Sequence, residues 1–204
     1  MNTDKNNIYI KNSLFSSKDG FFEIPYLSNS PQVMMESIIN LPVATHNKTT
    51  QKVHTENDFF DGNMNYIEVE EGLWLFAYNF DVKQNIIANA FYDDHVPADY
   101  FYLTLSVFEY ELPVLKQEKN IVLLSKCWTL YRPKTMVSMY FYKNTSGRFI
   151  NFVFNKKWAE ANICTTFPAL TSFFNAKTGY LTWLDQVPGE HDLFEAIYKQ
   201  FLST

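Results

Sequence analysis

The stretch that most restricts this chain runs from Leu73 to Asn162, where strand-like runs rich in aromatic residues follow one another with short turns. Its clearest member is Leu73-Trp74-Leu75-Phe76-Ala77-Tyr78-Asn79-Phe80, in which Trp74, Phe76, Tyr78 and Phe80 alternate strictly with smaller neighbours. A period of two puts all four rings on one face of a strand, whereas a helix would scatter them around its circumference. A second run, Tyr100 to Tyr110, sets Phe101, Leu103, Leu105 and Val107 against Tyr100, Tyr102, Thr104, Ser106, Phe108 and Tyr110. The first of these faces suits packing of sheet on sheet. The second mixes rings with hydroxyls, and two readings of it stand open: a wall that meets a ligand or partner, or tyrosines that pack by their rings and leave their hydroxyls at the solvent edge.

Strands are expected at about 65–70, 73–81, 84–92, 100–110, 114–124, 126–131, 135–142 and 147–154. The turns between them come from Glu71-Gly72, Asp93-Asp94-His95-Val96-Pro97, Arg132-Pro133-Lys134 and Asn144-Thr145-Ser146-Gly147. Eight short strands at this spacing imply a mainly β fold, an antiparallel sandwich or barrel, and the absence of alternating helices argues against a doubly wound nucleotide-binding sheet. Before them, residues 1–64 read as an N-terminal arm packed on the β unit. Ser30-Pro31 caps a short helix over 32–40 that ends at Pro42, and residues 44–65 read as an exposed polar loop. After them, Asn155 caps a helix start at Lys156, residues 163–179 form an irregular link, and 180–187 returns as an extended segment. A last amphipathic helix from Gly189 carries Leu193, Phe194, Ile197, Phe201 and Leu202 on one side.

Charge and motif content exclude several functions. A net charge of −5 over 204 residues argues against broad affinity for phosphate backbones, which needs clustered Lys and Arg. No run approaches the ~20 apolar residues of a membrane span, and the polar start Met1-Asn2-Thr3-Asp4 is no secretion signal, so a cytoplasmic protein without membrane contact is expected. Two isolated cysteines, Cys127 and Cys164, fit a reducing compartment and read as inert thiols. His46, His54, His95 and His191 form no metal-binding pattern; His46 and His54 read as solvated loop residues, while His95 lies beside Asp93 and Asp94, where a carboxylate could fix its tautomer. Glu68-Val69-Glu70-Glu71 reads either as a cation site or as the charged edge of a strand. With six glycines and neither a phosphate loop nor a nucleophile elbow, no catalytic residue, metal or cofactor is expected.

Gly72-Leu73-Trp74-Leu75 with Asn79-Phe80, then Tyr100-Phe101-Tyr102-Leu103, Cys127 to Thr135, and Gly147 to Phe154 followed by Lys157-Trp158 together resemble the N-terminal sensing region of AraC-type transcription regulators, in the form common in Bacteroidetes. The resemblance covers about residues 65–162 and rests on aromatic strand signatures. It implies a cupin-like antiparallel β-barrel of jelly-roll type over 65–188, an N-terminal arm and helix over 1–64, and a C-terminal helix over 189–204 that begins a connector or dimerisation segment. It further implies an unidentified small-molecule effector, a homodimer, and DNA contact only through a C-terminal domain missing from this chain. Trp74, Tyr78, Tyr102, Trp128 and Tyr140 are the candidate cavity residues, because each joins apolar area to one hydrogen-bonding tip. Arg132 and Arg148 are the candidates for an anionic group on the effector, with a turn residue and a strand-edge charge as their plainer readings. A stand-alone binding or interaction module, or a cupin enzyme, is the alternative function.

Overall fold

The computed structural model describes residues 17–41, 43–113, 120–177, 179–184 and 188–202. Two β-sheets face each other. The larger, wholly antiparallel, has the order β12-β9-β8-β11-β6-β5-β4-β3, and the smaller β1-β2-β7-β10. In chain order these are β1 (Ser17–Lys18), β2 (Phe21–Leu27), β3 (Ala44–Asn47), β4 (Lys52–Glu56), β5 (Phe60–Glu70), β6 (Leu73–Val82), β7 (Ile86–Phe91), β8 (Tyr100–Pro113), β9 (Asn120–Tyr131), β10 (Ser138–Phe141), β11 (Thr145–Asn155) and β12 (Tyr180–Trp183). Helix α1 (Pro31–Ile39) lies between β2 and β3, and α2 (Lys156–Ala159), α3 (Thr171–Asn175) and α4 (Glu190–Leu202) follow β11.

The expected closed barrel does not form; the fold is a mainly β sandwich. The chain crosses between sheets five times, once through α1 between β2 and β3 and then at 83–85, 92–99, 132–137 and 142–144. Pro97 and Pro133 sit in two of these links, where a missing N–H cannot extend a ladder around a corner. The smaller sheet is not purely antiparallel, because β2 runs parallel to β7 with Tyr26 opposite Ala90.

Residues 17–64 are not an arm lying on the fold. They supply β2 to the smaller sheet and β3, β4 and the start of β5 to the larger one. The expected exposed loop at 44–65 is instead a hairpin whose Val53 and Thr55 point inward and are buried. The edge strand β3 and its neighbour β4 carry polar outer faces, and no long apolar run betrays them. The described part of the strand expected at 114–124 and the strand expected at 126–131 are one strand, β9, since Ser125 and Lys126 stay paired to Phe108 and Val107. Residues 1–16, 42, 114–119, 178, 185–187 and 203–204 lie outside the described residues, as do the side chains of Tyr110, Phe201 and Leu202 invoked above.

Helix α1 follows its sequence signals: the Ser30 hydroxyl accepts from Val33 N at 3.2 Å and Pro31 occupies the first turn, where no N–H is needed. Its buried Met34 and Met35 join Trp74, Phe76, Tyr66 and Val153 in a core at one end of the inter-sheet space. At the other end, Val82, Ile86 and Phe141 pack with Phe22, Ile24, Phe60 and Phe108 from both sheets.

The aliphatic face of β8 meets helices, not the other sheet. Leu105 packs with Ala77, Ile150 and Trp128 beneath Phe194 and Tyr198 of α4, while Phe101 packs with Phe154 and Leu130 beneath Ala159, Phe173 and Phe174. The larger sheet is therefore buried on both faces at its centre, a three-layer arrangement that demands apolar residues at successive positions of β8 and β11. Helix α4 is fastened by its buried first residue: Glu190 receives the Trp128 indole N–H at 2.8 Å and pairs with Lys126. Among the described residues no helix is long and apolar enough to cross a membrane.

Candidate ligand cavity

Between the inner faces of the two sheets lies a cavity of about 220 Å³. Ile24, Ile86, Ala88 and Met139 of the smaller sheet form one wall, Met64, Phe80, Phe108 and Phe149 of the larger sheet the opposite one, and Met34 and Ile38 of α1 contribute as well. None of the lining residues is an Asp, Glu, Lys, Arg or His. Its polar groups are neutral: the phenols of Tyr26, Tyr78, Tyr92, Tyr102 and Tyr131, the hydroxyls of Ser28, Thr55, Thr104 and Ser106, and the amides of Asn63, Asn79 and Asn151.

The phenols converge from both sheets. Tyr102 donates to Ser28 O at 3.4 Å and Tyr92 to Thr135 O at 3.3 Å. Burial pushes the Tyr26 phenol far above its ordinary range, and the neighbouring phenols of Tyr102, Tyr92 and Tyr131 push it further. Burial likewise raises Tyr78, with Tyr26 and Tyr102 adding to it and a hydrogen bond from the Asn151 side chain opposing. Burial raises Tyr102 too, against a hydrogen bond with Ser28. A phenolate in this enclosure would lose its hydration without gaining a cation, so the cluster stays protonated. Asn151 is 8% exposed, and its Oδ1 is buried without a hydrogen-bond partner.

Gly147 sets the shape of this wall. It pairs with Phe80 on one side and Phe108 on the other, and a Cβ there would stand 2.5 Å from Phe80 Cζ and 2.8 Å from Phe108 Cδ1. Both rings line the cavity, so they occupy the room a side chain would take. Gly147→Ala is expected to lower stability by about 1–3 kcal/mol through overpacking, read as a lower urea midpoint at unchanged slope; an unchanged midpoint would show that the rings are free to move aside.

Of the residues singled out from the sequence, Tyr78 and Tyr102 line the cavity and the other five do not. Trp74 shares their inner face but is buried beside Phe76, with its Nε1 unpartnered. Trp128 is on the outer face, stacked at 6.2 Å on Trp183 and bonded to Glu190. Tyr140 is 55% exposed on the outside of the smaller sheet, against Phe21. Arg132 donates to Phe173 O at 2.7 Å and lies over the Phe173 ring, and Arg148 lies over Phe194 and Tyr198 while pairing with Glu195 at 3.3 Å. Both arginines thus hold C-terminal helices to the outer face, a role that neither sequence reading contained.

Sequence reasoning missed Tyr26, Tyr92, Tyr131 and Asn151. Tyr26 comes from a segment read as arm and the next two from strand ends, and only strand pairing gathers them. Asn151 did leave a signal, as the one polar residue inside Phe149-Ile150-Asn151-Phe152-Val153-Phe154. Thr104 and Ser106 were already on the hydroxyl-bearing face of β8, which is the face that lines the cavity.

The sequence matches no protein-family model, and no curated protein matches it. The likeness to AraC-type sensing regions therefore stands on the aromatic strand signatures alone.

The remaining sequence candidates have local partners. His46 Nε2 meets the Tyr66 hydroxyl at 2.6 Å and His54 Nδ1 meets Asn63 Oδ1 at 3.1 Å, so neither is a plain loop histidine. Asp93 Oδ1 accepts from the backbone N of His95 at 2.9 Å and does not orient its ring in that contact. Glu70 accepts from the Trp158 indole at 2.6 Å and Glu71 pairs with Lys157 at 3.2 Å, which ties the charged edge to α2. Among the described residues no three His, Cys, Asp or Glu side chains gather as a metal-binding group.

Proposed function

We propose that this chain is an effector-sensing domain of the AraC regulator type, which holds a small molecule between its sheets without transforming it. The observation that carries this reading is the cavity itself, walled by apolar side chains and neutral hydrogen-bonding groups. No Asp, Glu, His, Lys or Cys lines it to serve as a base or to activate one of its hydroxyls, which favours binding over turnover. In this reading the sandwich is a cupin-like jelly roll, with the parallel β2–β7 pair as its departure from that plan. A homodimer and a DNA-reading partner domain belong to the same reading.

A sensor needs a part whose arrangement depends on occupancy, because a guest shifts an equilibrium only by its differential affinity for two states. Helix α4 is such a part. The rings of Tyr78 and Phe149 stack at 4.1 Å within the cavity wall, and the backbone carbonyls of these same two residues accept the Tyr198 hydroxyl of α4. A guest pressing on the ring pair therefore acts on the strand segment to which α4 is bonded.

The test uses benzyl alcohol as probe guest and reads thermal stability together with amide hydrogen exchange over 190–202. Wild type is expected to gain about 2.7 kcal/mol at 100 times the dissociation constant, with altered exchange in α4. Ala88→Trp, which fills the cavity, is expected to lose both effects. Absence of any stabilisation by benzyl alcohol, its methyl ether or toluene would overturn the binding reading, and binding with no change in α4 would overturn the sensing one. The regulator type has its own test: a reading frame that continues past the codon for Thr204 into a basic pair of helix-turn-helix units supports it, and a stop codon there overturns it.

A further inference from the structure

We propose that the cavity selects a neutral, mainly apolar molecule that donates one hydrogen bond, from a hydroxyl or an amide N–H, to Oδ1 of Asn151. The inference rests on the binding reading above and adds the chemistry of the guest. Asn151 lies in the middle of β11, between Phe76 of β6 and Thr104 of β8, where the sheet is buried on both sides. Its side-chain carbonyl oxygen is buried and unmatched. A buried acceptor without a donor is unfavourable, and a guest that supplies the donor relieves that cost.

The surroundings decide what kind of donor fits. A charged head is excluded on both signs: no Arg, Lys or His lines the wall to meet a carboxylate, and no Asp or Glu to meet an ammonium. Stripping an ion of water costs several kcal/mol, which neutral phenols and amides do not return. The phenol protons of Tyr102 and Tyr92 are committed to the carbonyls of Ser28 and Thr135, so they do not compete for Asn151. Size limits the body of the guest. A cavity of about 150 Å³ lined by aliphatic and aromatic side chains accepts benzene, so about 220 Å³ accommodates one ring or short chain with a small polar head.

Discrimination also follows from water. A polar site of this size can hold water against Asn151 Oδ1, and a guest that displaces it without replacing its hydrogen bond loses affinity. An alcohol and its methyl ether share their apolar body and differ in that one donor.

The experiment measures binding of benzyl alcohol, benzyl methyl ether and sodium benzoate to the full chain by calorimetry near neutral pH, with wild type and Asn151→Leu. Wild type is expected to bind the alcohol about tenfold more tightly than the ether, the worth of one well-made hydrogen bond, and to bind benzoate at least as weakly as the ether. In Asn151→Leu the alcohol–ether difference is expected to fall below about twofold while the ether still binds. The comparison within wild type stands even where that variant fails to fold. Ether binding equal to alcohol, or benzoate binding tighter than either, would overturn the proposed chemistry while leaving the binding function intact. Failure of all three probes would overturn the binding function itself.

Discussion

Raised above pH 10, the protein is expected to lose about 1.4 kcal/mol of stability per pH unit for every phenol that stays protonated in the fold. An unfolded tyrosine ionises near pH 10. In the fold, burial lifts Tyr102 and Tyr198, each 7% exposed, well above that value. For Tyr198 the charge of Arg148 acts in the opposite, lowering sense. Above pH 10 the unfolded chain has released protons that the folded chain still holds, so rising pH favours unfolding; below pH 10 both states hold them and the effect vanishes. Tyr102 and Tyr198 alone give a loss of about 3 kcal/mol per pH unit, and Tyr26 and Tyr78 shift in the same direction. Against a typical total of about 5–15 kcal/mol this is enough to unfold the domain by about pH 12. Urea midpoints measured from about pH 9 upward, followed together with tyrosinate absorbance, would show a cooperative jump in ionisation at the unfolding transition. Gradual ionisation of all thirteen tyrosines with the fold retained would contradict the buried phenol cluster.

Truncating Phe76 is the second change with a large expected effect. The ring is wholly buried on the inner face of β6, its centroid 6.2 Å from those of Trp74 and Tyr78 and 6.4 Å from that of Tyr66. Met34 and Met35 of α1 belong to the same core. Phe76→Ala removes most of the ring's buried area and leaves a void that a sheet anchored on both sides cannot close. The expected cost is about 3–5 kcal/mol. The same truncation at Tyr140, 55% exposed, is expected to cost about 1 kcal/mol or less. Equilibrium urea unfolding of both variants checks the contrast, and a Phe76→Ala cost near that of Tyr140→Ala would mean that the β6 ring row does not form the core.

The two substitutions also mark how far the sequence could be read. Trp74, Phe76, Tyr78 and Phe80 share a face in the sequence and in the fold, because alternation is a property of the extended chain itself. Ser30-Pro31 and Asn155 announced their helices for a similarly local reason, an oxygen placed to accept from a first-turn N–H. Tyr140 misled, since alternation gives a face but not its direction: Tyr140 and Met139 are neighbours on β10, and pairing with β7 turns Met139 to the cavity and Tyr140 to solvent. Trp128 failed in the same way, one residue out of phase with the inward Tyr131 and Thr129 side of β9.

By itself, then, the sequence determined the inner strands β6, β8 and β11 of the larger sheet, the row of rings along β6 and the hydroxyl-bearing face of β8, because these follow from the backbone period and from residue type. Only the tertiary structure decided that the sheets stay open as a sandwich, that Arg132 and Arg148 hold helices, and that Tyr26, Tyr78, Tyr92, Tyr102, Tyr131 and Asn151 enclose one uncharged space. Those outcomes depend on pairings between residues as far apart as Leu73 on β6 and Phe154 on β11, and the free energy that fixes such pairings comes from burying whole faces together, which no local window of the chain contains.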